Sequence, residues 1–146
     1  MPLYFAYGAN MDAGAMAKRC PRSHAIGPAR LMRHRLEVMR EGWLTVVRDS
    51  QAVVHGVLWN LALADVGALD RFEDTGGGLY QKILQPVIAA NGVRRALVYV
   101  GANAGPGRAR ADYLAAIITA ARSVPLPAEG VAALERLAAR GPARVG

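Results

Sequence analysis

The sequence feature that most constrains the fold is a β-hairpin signal in the second half of the chain. Asn91-Gly92 stands between two β-type segments, 79–89 and 94–100. Asn-Gly suits the positive φ angles of a two-residue type I′ turn, whose twist matches that of paired antiparallel strands. The glycine-rich segment 75–78 precedes the first of the two β-type segments and serves either as a connection or as a loop that gates a substrate. The chain therefore predicts a long antiparallel strand pair.

Further β-type segments and a few helices fill the rest of the chain. Apolar and β-branched residues between turn signals predict strands from Leu3 onward and at 24–32, 34–39, 44–47 and 53–59. Capping signals and apolar periodicity predict helices at 12–19, where Asp12 is the cap, and at 65–73, 109–121 and 128–140. Because the strands do not alternate with helices, we expect an α+β fold with a barrel-like sheet of about six or seven strands, not a Rossmann or P-loop fold.

Length and charge limit the class of protein. The 146 residues predict a single domain, 1–146. No apolar run reaches the about 20 residues of a transmembrane helix, and the start has no charged leader, so we expect a cytoplasmic protein with no membrane partner. The formal charge is +7, from 18 basic and 11 acidic residues. Because the basic residues are dispersed, a solvated surface is favoured over the alternative of nucleic-acid binding.

The chain has one cysteine, which excludes a disulfide framework and a cysteine-rich metal site. His24 lies four residues after Cys20, but Pro21 prevents the two side chains from sharing a helix face. An inert, partly buried thiol is therefore favoured over a Cys/His nucleophile pair. We predict no metal site and no cofactor.

The opening β-type segment ends abruptly in a possible anion cradle. The apolar run that begins at Leu3 and includes Tyr7 meets Gly8-Ala9-Asn10. A strand that ends in glycine and small residues exposes backbone N–H groups, which suit an anion or an oxyanion. By itself the Gly8-Ala9-Asn10 segment predicts only a turn. A second functional group must lie beside it before it can take part in a reaction.

Glu73 is the candidate partner of this turn. It is the only acid on the apolar face of the predicted helix 65–73, within about 40° of the centre of that face on the 3.6-residue period. Burial, the negative end of the helix dipole and the neighbouring Asp74 are all expected to raise the Glu73 pKa toward neutrality. A carboxyl with such a pKa can accept and return a proton. The alternative is an exposed residue at a frayed helix end.

The two features lie in motifs that resemble one protein family. Tyr4-Phe5-Ala6-Tyr7-Gly8-Ala9-Asn10-Met11 resembles the Tyr-Phe-Ala-Tyr-Gly-Ser-Asn-Met signature of the γ-glutamylcyclotransferase-like proteins. Leu69-Asp70-Arg71-Phe72-Glu73 with Gly78-Leu79-Tyr80 resembles the Leu-Asp-x-x-Glu-Gly and Gly-x-Tyr segment of that family. Segments at 27–31, 35–36, 54–59, 113–114 and 126–127 are similar to further family segments in the same order. The resemblance therefore covers nearly the whole chain.

The resemblance implies a small mixed β-barrel with flanking helices and a cofactor-independent cyclotransferase of the lyase or acyltransferase type. In such proteins the α-amine of a small γ-glutamyl amide attacks the γ-carbonyl and releases 5-oxoproline and an amine or amino acid. Because this attack is intramolecular, effective molarity replaces an enzymic nucleophile. Glu73 would act as base and then as acid, and Tyr80 would position Glu73 or the substrate. The residues that would bind the glutamyl group are Tyr7, Gly8, Ala9 and Asn10.

Three departures from the family pattern affect what the resemblance implies. Ala9 replaces a serine, so a hydroxyl contact is lost while the backbone N–H is kept. Asp74 replaces a glycine, and the short segment 41–50 would reshape the pocket wall that faces the leaving group. A non-catalytic relative that binds a small acidic metabolite or a protein partner is the alternative function. The oligomeric state is expected to be a monomer or a homodimer.

Overall fold

A closed β-barrel forms the centre of the computed structural model, which describes residues 2–141. Within this range the strands are β1 (Leu3–Ala6), β2 (His24–Val38), β3 (Leu44–Asn60), β4 (Tyr80–Ala89) and β5 (Gly92–Gly101). They close in the order β1-β3-β2-β4-β5. The β1–β5 pairing is parallel and the other pairings are antiparallel. The predicted mixed barrel is therefore confirmed, and so is the hairpin of β4 and β5. The predicted type I′ turn at Asn91-Gly92 is wrong by one residue, because Gly92 already pairs with Ala89 and the turn residues are Ala90 and Asn91. The positive φ, 110°, is at Gly92 and not at Asn91.

The prediction of six or seven strands is wrong, because the described residues form five. The predicted strands 24–32 and 34–39 are two parts of β2, and 44–47 and 53–59 are two parts of β3. The register shifts around Arg33, which has a φ of 59°: Met32 pairs with Val53, while His34 pairs with Arg48. A bulge bends a strand without ending it and uses the same polar residues as a turn. Residues 49–52 therefore form an irregularity inside β3 instead of a chain reversal.

Four helices flank the barrel within the described range. They are α1 (Ala13–Arg19), α2 (Leu63–Phe72), α3 (Ala111–Ser123) and α4 (Ala128–Ala138), and a 3-10 turn, Ala9–Met11, follows β1. The predicted cap at Asp12 is confirmed, since its Oδ2 accepts a hydrogen bond from the N–H of Ala15 at 3.1 Å. None of the helices described is long and apolar enough to cross a membrane.

The core fills the barrel and continues beneath the helices. Phe5, Leu58, Leu69 and Leu134 are almost completely buried, and burial of such a side chain stabilises the fold by about 1.5–3 kcal/mol. Gly56 lets β1 approach β3 closely, because a Cβ at this position would collide with the Phe5 ring at 2.8 Å and with the backbone of β1. This packing fixes the position of β1 and hence of the turn that follows it.

Candidate functional site

One end of the barrel collects the elements that carry the predicted site residues. β1 and β5 run parallel and both end there, and β4 begins there opposite the end of β5. Leu44, the first residue of β3, lies at the same end. A cavity of about 190 Å³ opens at this end. It is smaller than the roughly 300–1,000 Å³ of pockets for drug-sized ligands, so its size suits an amino-acid-sized group. All the predicted site residues line it: Tyr7, Gly8, Ala9, Asn10, Glu73 and Tyr80.

Glu73 presents a carboxyl to the cavity without a hydrogen-bond partner in residues 2–141. It follows the last residue of α2, and its N–H donates to the carbonyl of Leu69 at 3.0 Å. The residue is half-buried. Burial raises the pKa of Glu73 to about 7, although the positive charge of Arg19 opposes the shift. Near neutral pH the group is therefore divided between its acid and base forms, as a proton carrier requires.

Asp74 does not contribute to this shift in the way that the sequence predicts. Its backbone lies in the left-handed region, with a φ of 52°, which glycine adopts more readily than aspartate does. The exposed carboxylate turns back into its own loop, where it accepts a hydrogen bond from the N–H of Gly77 at 3.1 Å. The glycine-rich segment is thus a hydrogen-bonded connection from α2 to β4. The raised pKa of Glu73 comes from burial.

The turn after β1 offers backbone donors on the same cavity. Among the residues that the structure describes, no group accepts a hydrogen bond from the N–H of Gly8, Ala9 or Asn10. These N–H groups lie at the start of a helical turn, where no intrahelical acceptor exists. Gly8 and Ala9 are half-buried and line the cavity. The replacement of a serine by Ala9 leaves this set of donors intact.

Asn10 belongs to a chain of contacts that links the turn to α2. The Arg19 guanidinium donates from Nη1 to the Asn10 Oδ1 at 2.6 Å, which leaves the Asn10 Nδ2 to donate to the Tyr4 hydroxyl at 3.1 Å. The same guanidinium lies over the Phe72 ring, 3.7 Å from its centroid. Arg19 therefore couples the orientation of the Asn10 amide to the residue that precedes Glu73. Sequence reasoning missed Arg19, because this contact joins two elements that no local pattern relates.

Aromatic side chains make most of the cavity wall. Tyr7 donates its hydroxyl proton to the carbonyl of Tyr99, and Tyr80 donates to the carbonyl of Leu44 at 2.5 Å. Burial raises the pKa of both hydroxyls well above the ordinary range, so both stay neutral. Sequence reasoning found these two tyrosines and missed the other three. All five tyrosines of the chain line the cavity: Tyr4, Tyr7, Tyr80, Tyr99 and Tyr113.

The Cys/His alternative receives no support from the placement of its residues. Cys20 is 1% exposed and lies outside the cavity wall, and burial raises the pKa of its thiol. His24 is exposed at the start of β2. Within residues 2–141 no group of three or more His, Cys, Asp or Glu side chains is arranged to hold a metal ion.

Comparison with known proteins identifies the family. Residues 4–116 match the model of the family described as "Gamma-glutamyl cyclotransferase, AIG2-like". The chain belongs to this family. The match includes both sequence motifs and every described residue of the cavity wall, from Tyr4 to Tyr113. No curated protein matches the chain by sequence.

Solved structures support the same fold assignment. A protein titled "Gamma-glutamyl cyclotransferase" has a TM-score of 0.85 at 24% identity, and an uncharacterized protein from Homo sapiens has 0.84 at 25%. Each of these similarities covers 99% of this chain and 90% of the other. An AIG2-like protein from Mus musculus has a TM-score of 0.60 at 20% identity, over 78% of this chain and 82% of its own. The family fold thus extends over nearly the whole chain.

Proposed function

We propose that this member of the family is a cofactor-independent γ-glutamyl cyclotransferase that converts a γ-glutamyl amide into 5-oxoproline and an amine. The observation that carries the proposal is the Glu73 carboxyl. It lacks a hydrogen-bond partner in the described residues, has a pKa of about 7, and lines the same cavity as the donors of the Gly8 turn. The reaction needs a base of this strength and donors for an oxyanion. We place it in the cytoplasm, since the one cysteine is a free thiol.

In the proposed mechanism the substrate supplies its own nucleophile. The Glu73 carboxylate takes a proton from the α-ammonium group, and the resulting amine attacks the γ-carbonyl carbon to close a five-membered ring. Protonated Glu73 then gives its proton to the amide nitrogen, so that the carbon–nitrogen bond breaks and the amine leaves. Glu73 takes the second proton from the ring nitrogen and returns it to the released amine. Substrate and products balance without water or a cofactor.

The remaining cavity residues bind and orient the substrate in this proposal. The N–H groups of Gly8, Ala9 and Asn10 are available to a carboxylate or to the developing oxyanion. Tyr7 and Tyr80 each donate their only hydroxyl proton to a backbone carbonyl, so their oxygens remain free to accept a hydrogen bond. Such acceptors suit the α-ammonium group of the glutamyl half. Tyr80 would thereby hold the amine beside Glu73.

The test is release of 5-oxoproline from a panel of γ-glutamyl amino acids and γ-glutamyl amines. The parent protein should produce 5-oxoproline from at least one compound, and Glu73→Gln should reduce kcat/KM at least a hundredfold, because the amide cannot carry a proton. For the parent, kcat/KM should fall as the pH drops below about 7, where Glu73 becomes protonated. Saturable binding without turnover would instead indicate a non-catalytic relative.

A melting curve shows whether Glu73→Gln loses activity because the proton-carrying group is gone or because the protein no longer folds. Glutamine has the shape of the protonated carboxyl and buries no charge, so at pH 8 Glu73→Gln should melt no lower than the parent. Asp112→Asn is the matched control, since Asp112 is exposed and lies outside the cavity wall. It should retain full activity. Undiminished activity of Glu73→Gln would contradict the mechanism.

A further inference from the structure

One carboxylate ties the last turn of α2 to the β4–β5 hairpin. The Asp70 Oδ1 accepts a hydrogen bond from the Tyr99 hydroxyl at 2.5 Å, and the Lys82 ammonium donates to both Asp70 oxygens, at 3.1 and 3.0 Å. Lys82 and Tyr99 are directly paired residues of β4 and β5. Because the side chains of such a pair lie on the same face of a sheet, the hairpin presents two donors side by side to one acceptor.

Asp70 precedes Glu73 by one helical turn and holds the chain on both sides of it. The carbonyl of Asp70 accepts a hydrogen bond from the N–H of Thr75 at 3.2 Å, in the loop that follows Glu73. The first turns of α2 are held separately, since the Asp65 carboxylate accepts from the Ser23 hydroxyl at 2.8 Å. Asp70 is thus the residue whose hydrogen bonds tie the segment around Glu73 to the barrel.

Tyr99 extends this contact to the other half of the site. It is 2% exposed and lines the cavity. Its carbonyl accepts a hydrogen bond from the Tyr7 hydroxyl, and Tyr7 directly precedes the turn of backbone donors. Hydrogen bonds therefore run from Tyr7 through Tyr99 to Asp70, and they set the position of Glu73 relative to that turn.

The electrostatic surroundings of Glu73 do not depend on the charge of Asp70. Burial raises the pKa of Glu73, and Arg19 on α1 is the charged group that opposes the rise. The other titratable groups that face Glu73 are hydroxyls whose pKa values burial raises, so that they stay neutral: Tyr4, Tyr7, Tyr80, Tyr99 and Tyr113. Asp70 itself does not line the cavity. Loss of its carboxylate would therefore reach Glu73 by letting the last turn of α2 move and admitting water.

We infer that Asp70 is a positioning residue, whose hydrogen bond with Tyr99 holds the last turn of α2 on the hairpin and Glu73 at the cavity. The inference rests on the proposed function for its effect on turnover, and it adds a residue that does not touch the substrate. Without this bond the Glu73 carboxyl becomes more hydrated, so its pKa falls toward the ordinary value of glutamate. The base is then no longer fixed beside the substrate amine, which slows the reaction.

The test compares Asp70→Ala, which removes the acceptor, with Asp70→Asn, which keeps an acceptor oxygen for Tyr99 and removes the charge. The Glu73 pKa is measured by carbon-13 NMR of labelled glutamate carboxyls, with Glu73→Gln to assign its signal. Asp70→Ala should lower this pKa by roughly half a unit or more. It should also lower kcat for 5-oxoproline release at least tenfold at pH 8 and change KM less than threefold, because the cavity wall is intact. Asp70→Asn should keep the Glu73 pKa within about 0.2 units of the parent and kcat within about threefold.

Asp49→Ala is the matched control for the loss of a paired aspartate. Asp49 is also half-buried and lies 3.8 Å from a basic side chain, Arg35, but it does not line the cavity. Its removal should leave kcat and the Glu73 pKa unchanged. If circular dichroism shows that Asp70→Ala does not fold, Tyr99→Phe takes its place. This variant keeps the aromatic ring and removes the hydroxyl that Asp70 accepts from, so the same changes in kcat and in the Glu73 pKa are expected.

The outcomes distinguish this inference from the proposed function, because the NMR titration needs no substrate. An unchanged Glu73 pKa or an unchanged kcat in the folded variant that lacks the Asp70–Tyr99 bond would overturn the inference alone. Equal losses in Asp70→Asn and Asp70→Ala would also overturn it, since the charge of Asp70 and not its hydrogen bond would then be acting. If the parent releases no 5-oxoproline from any compound, the proposed function is wrong, and the Glu73 pKa alone decides whether Asp70 positions this carboxyl.

Discussion

Glu73 is a residue whose burial works against stability. Its pKa rises from about 4.5 in the unfolded chain to about 7 in the fold, which corresponds to about 3 kcal/mol at 1.36 kcal/mol per unit. Because the pKa of Glu73 is higher in the fold than in the unfolded chain, Glu73 contributes favourably to the free energy of unfolding below pH 4.5. This contribution is lost as the pH rises to about 7. At neutral pH the carboxylate therefore destabilises the fold. A partly buried acid that folding does not favour is a candidate for a functional role.

Arg19 acts on the pKa of the same carboxyl through its charge. Its positive charge lowers the pKa of Glu73 against the larger effect of burial. Arg19→Met removes that charge, so the Glu73 pKa should rise and the acid limb of the kcat/KM profile should move to higher pH by roughly half a unit or more. The measurement is kcat/KM for 5-oxoproline release between pH 5.5 and 9.

Lys18→Met is the control for the charge of Arg19. Lys18 is exposed in the last turn of the same helix, and it lies outside the cavity wall. Its removal should leave the acid limb in place, because exposed charges are screened by solvent. If the acid limb of the kcat/KM profile does not move in Arg19→Met while circular dichroism shows an intact fold, Arg19 does not act on the pKa of Glu73.

The connection from α2 to β4 follows Glu73 directly, and its conformation depends on Asp74. Asp74 has a φ of 52°, its Oδ1 accepts from Gly77, and its carbonyl accepts from the N–H of Leu79 at 3.1 Å. Asparagine and aspartate tolerate the left-handed region better than alanine does. The loop therefore depends on both the backbone preference and the side-chain acceptor at one position.

Substitutions of Asp74 separate these two contributions from its charge. Asp74→Ala should lower the free energy of unfolding by about 1–2 kcal/mol, because it introduces left-handed strain and removes a hydrogen bond. Asp74→Asn keeps the acceptor and the tolerance, so its stability should stay within about 0.5 kcal/mol of the parent. Urea unfolding measures both. If Asp74→Asn is as unstable as Asp74→Ala, the charge rather than the geometry of Asp74 supports the loop.

Local patterns predicted the elements and part of the site. Three predictions depend on neighbours within a few residues, which the sequence displays: the β4–β5 hairpin, the Asp12 cap and the position of Glu73 near the apolar face of α2. Residues 49–52 misled the strand count, since a polar bulge and a turn use the same residue types. Trp43 and Tyr113 meet over 70 positions of sequence, and no local period relates them. Their role in the cavity follows only from the closed barrel.

At the scale of the whole molecule, one ion pair ties the last helix to the barrel. Glu37 near the end of β2 has a side chain only 8% exposed, and Arg140 after α4 donates to it at 2.5 Å. Burial alone would raise the pKa of Glu37, but hydrogen bonds from Arg140 and from the N–H of Val38 outweigh it and hold the pKa below its usual range. Arg140 also donates to the carbonyl of Gly107 at 3.4 Å. The pair therefore joins α4, β2 and the segment before α3.

Arg140→Met should test this tie through the pH dependence of stability. A depressed pKa stabilises the fold above the unfolded value near 4.5, and the contribution is lost as the pH falls. At pH 7.5 the variant should lose about 1–2 kcal/mol of unfolding free energy, a modest figure because the Arg140 side chain is 37% exposed. At pH 4 the difference in unfolding free energy from the parent should shrink, since unpaired Glu37 can take up a proton.

Urea unfolding at both pH values measures this difference. Arg136→Met is the control, because Arg136 is an exposed residue of α4. An equal loss at both pH values would mean that Arg140 acts by packing and not through the charge of Glu37.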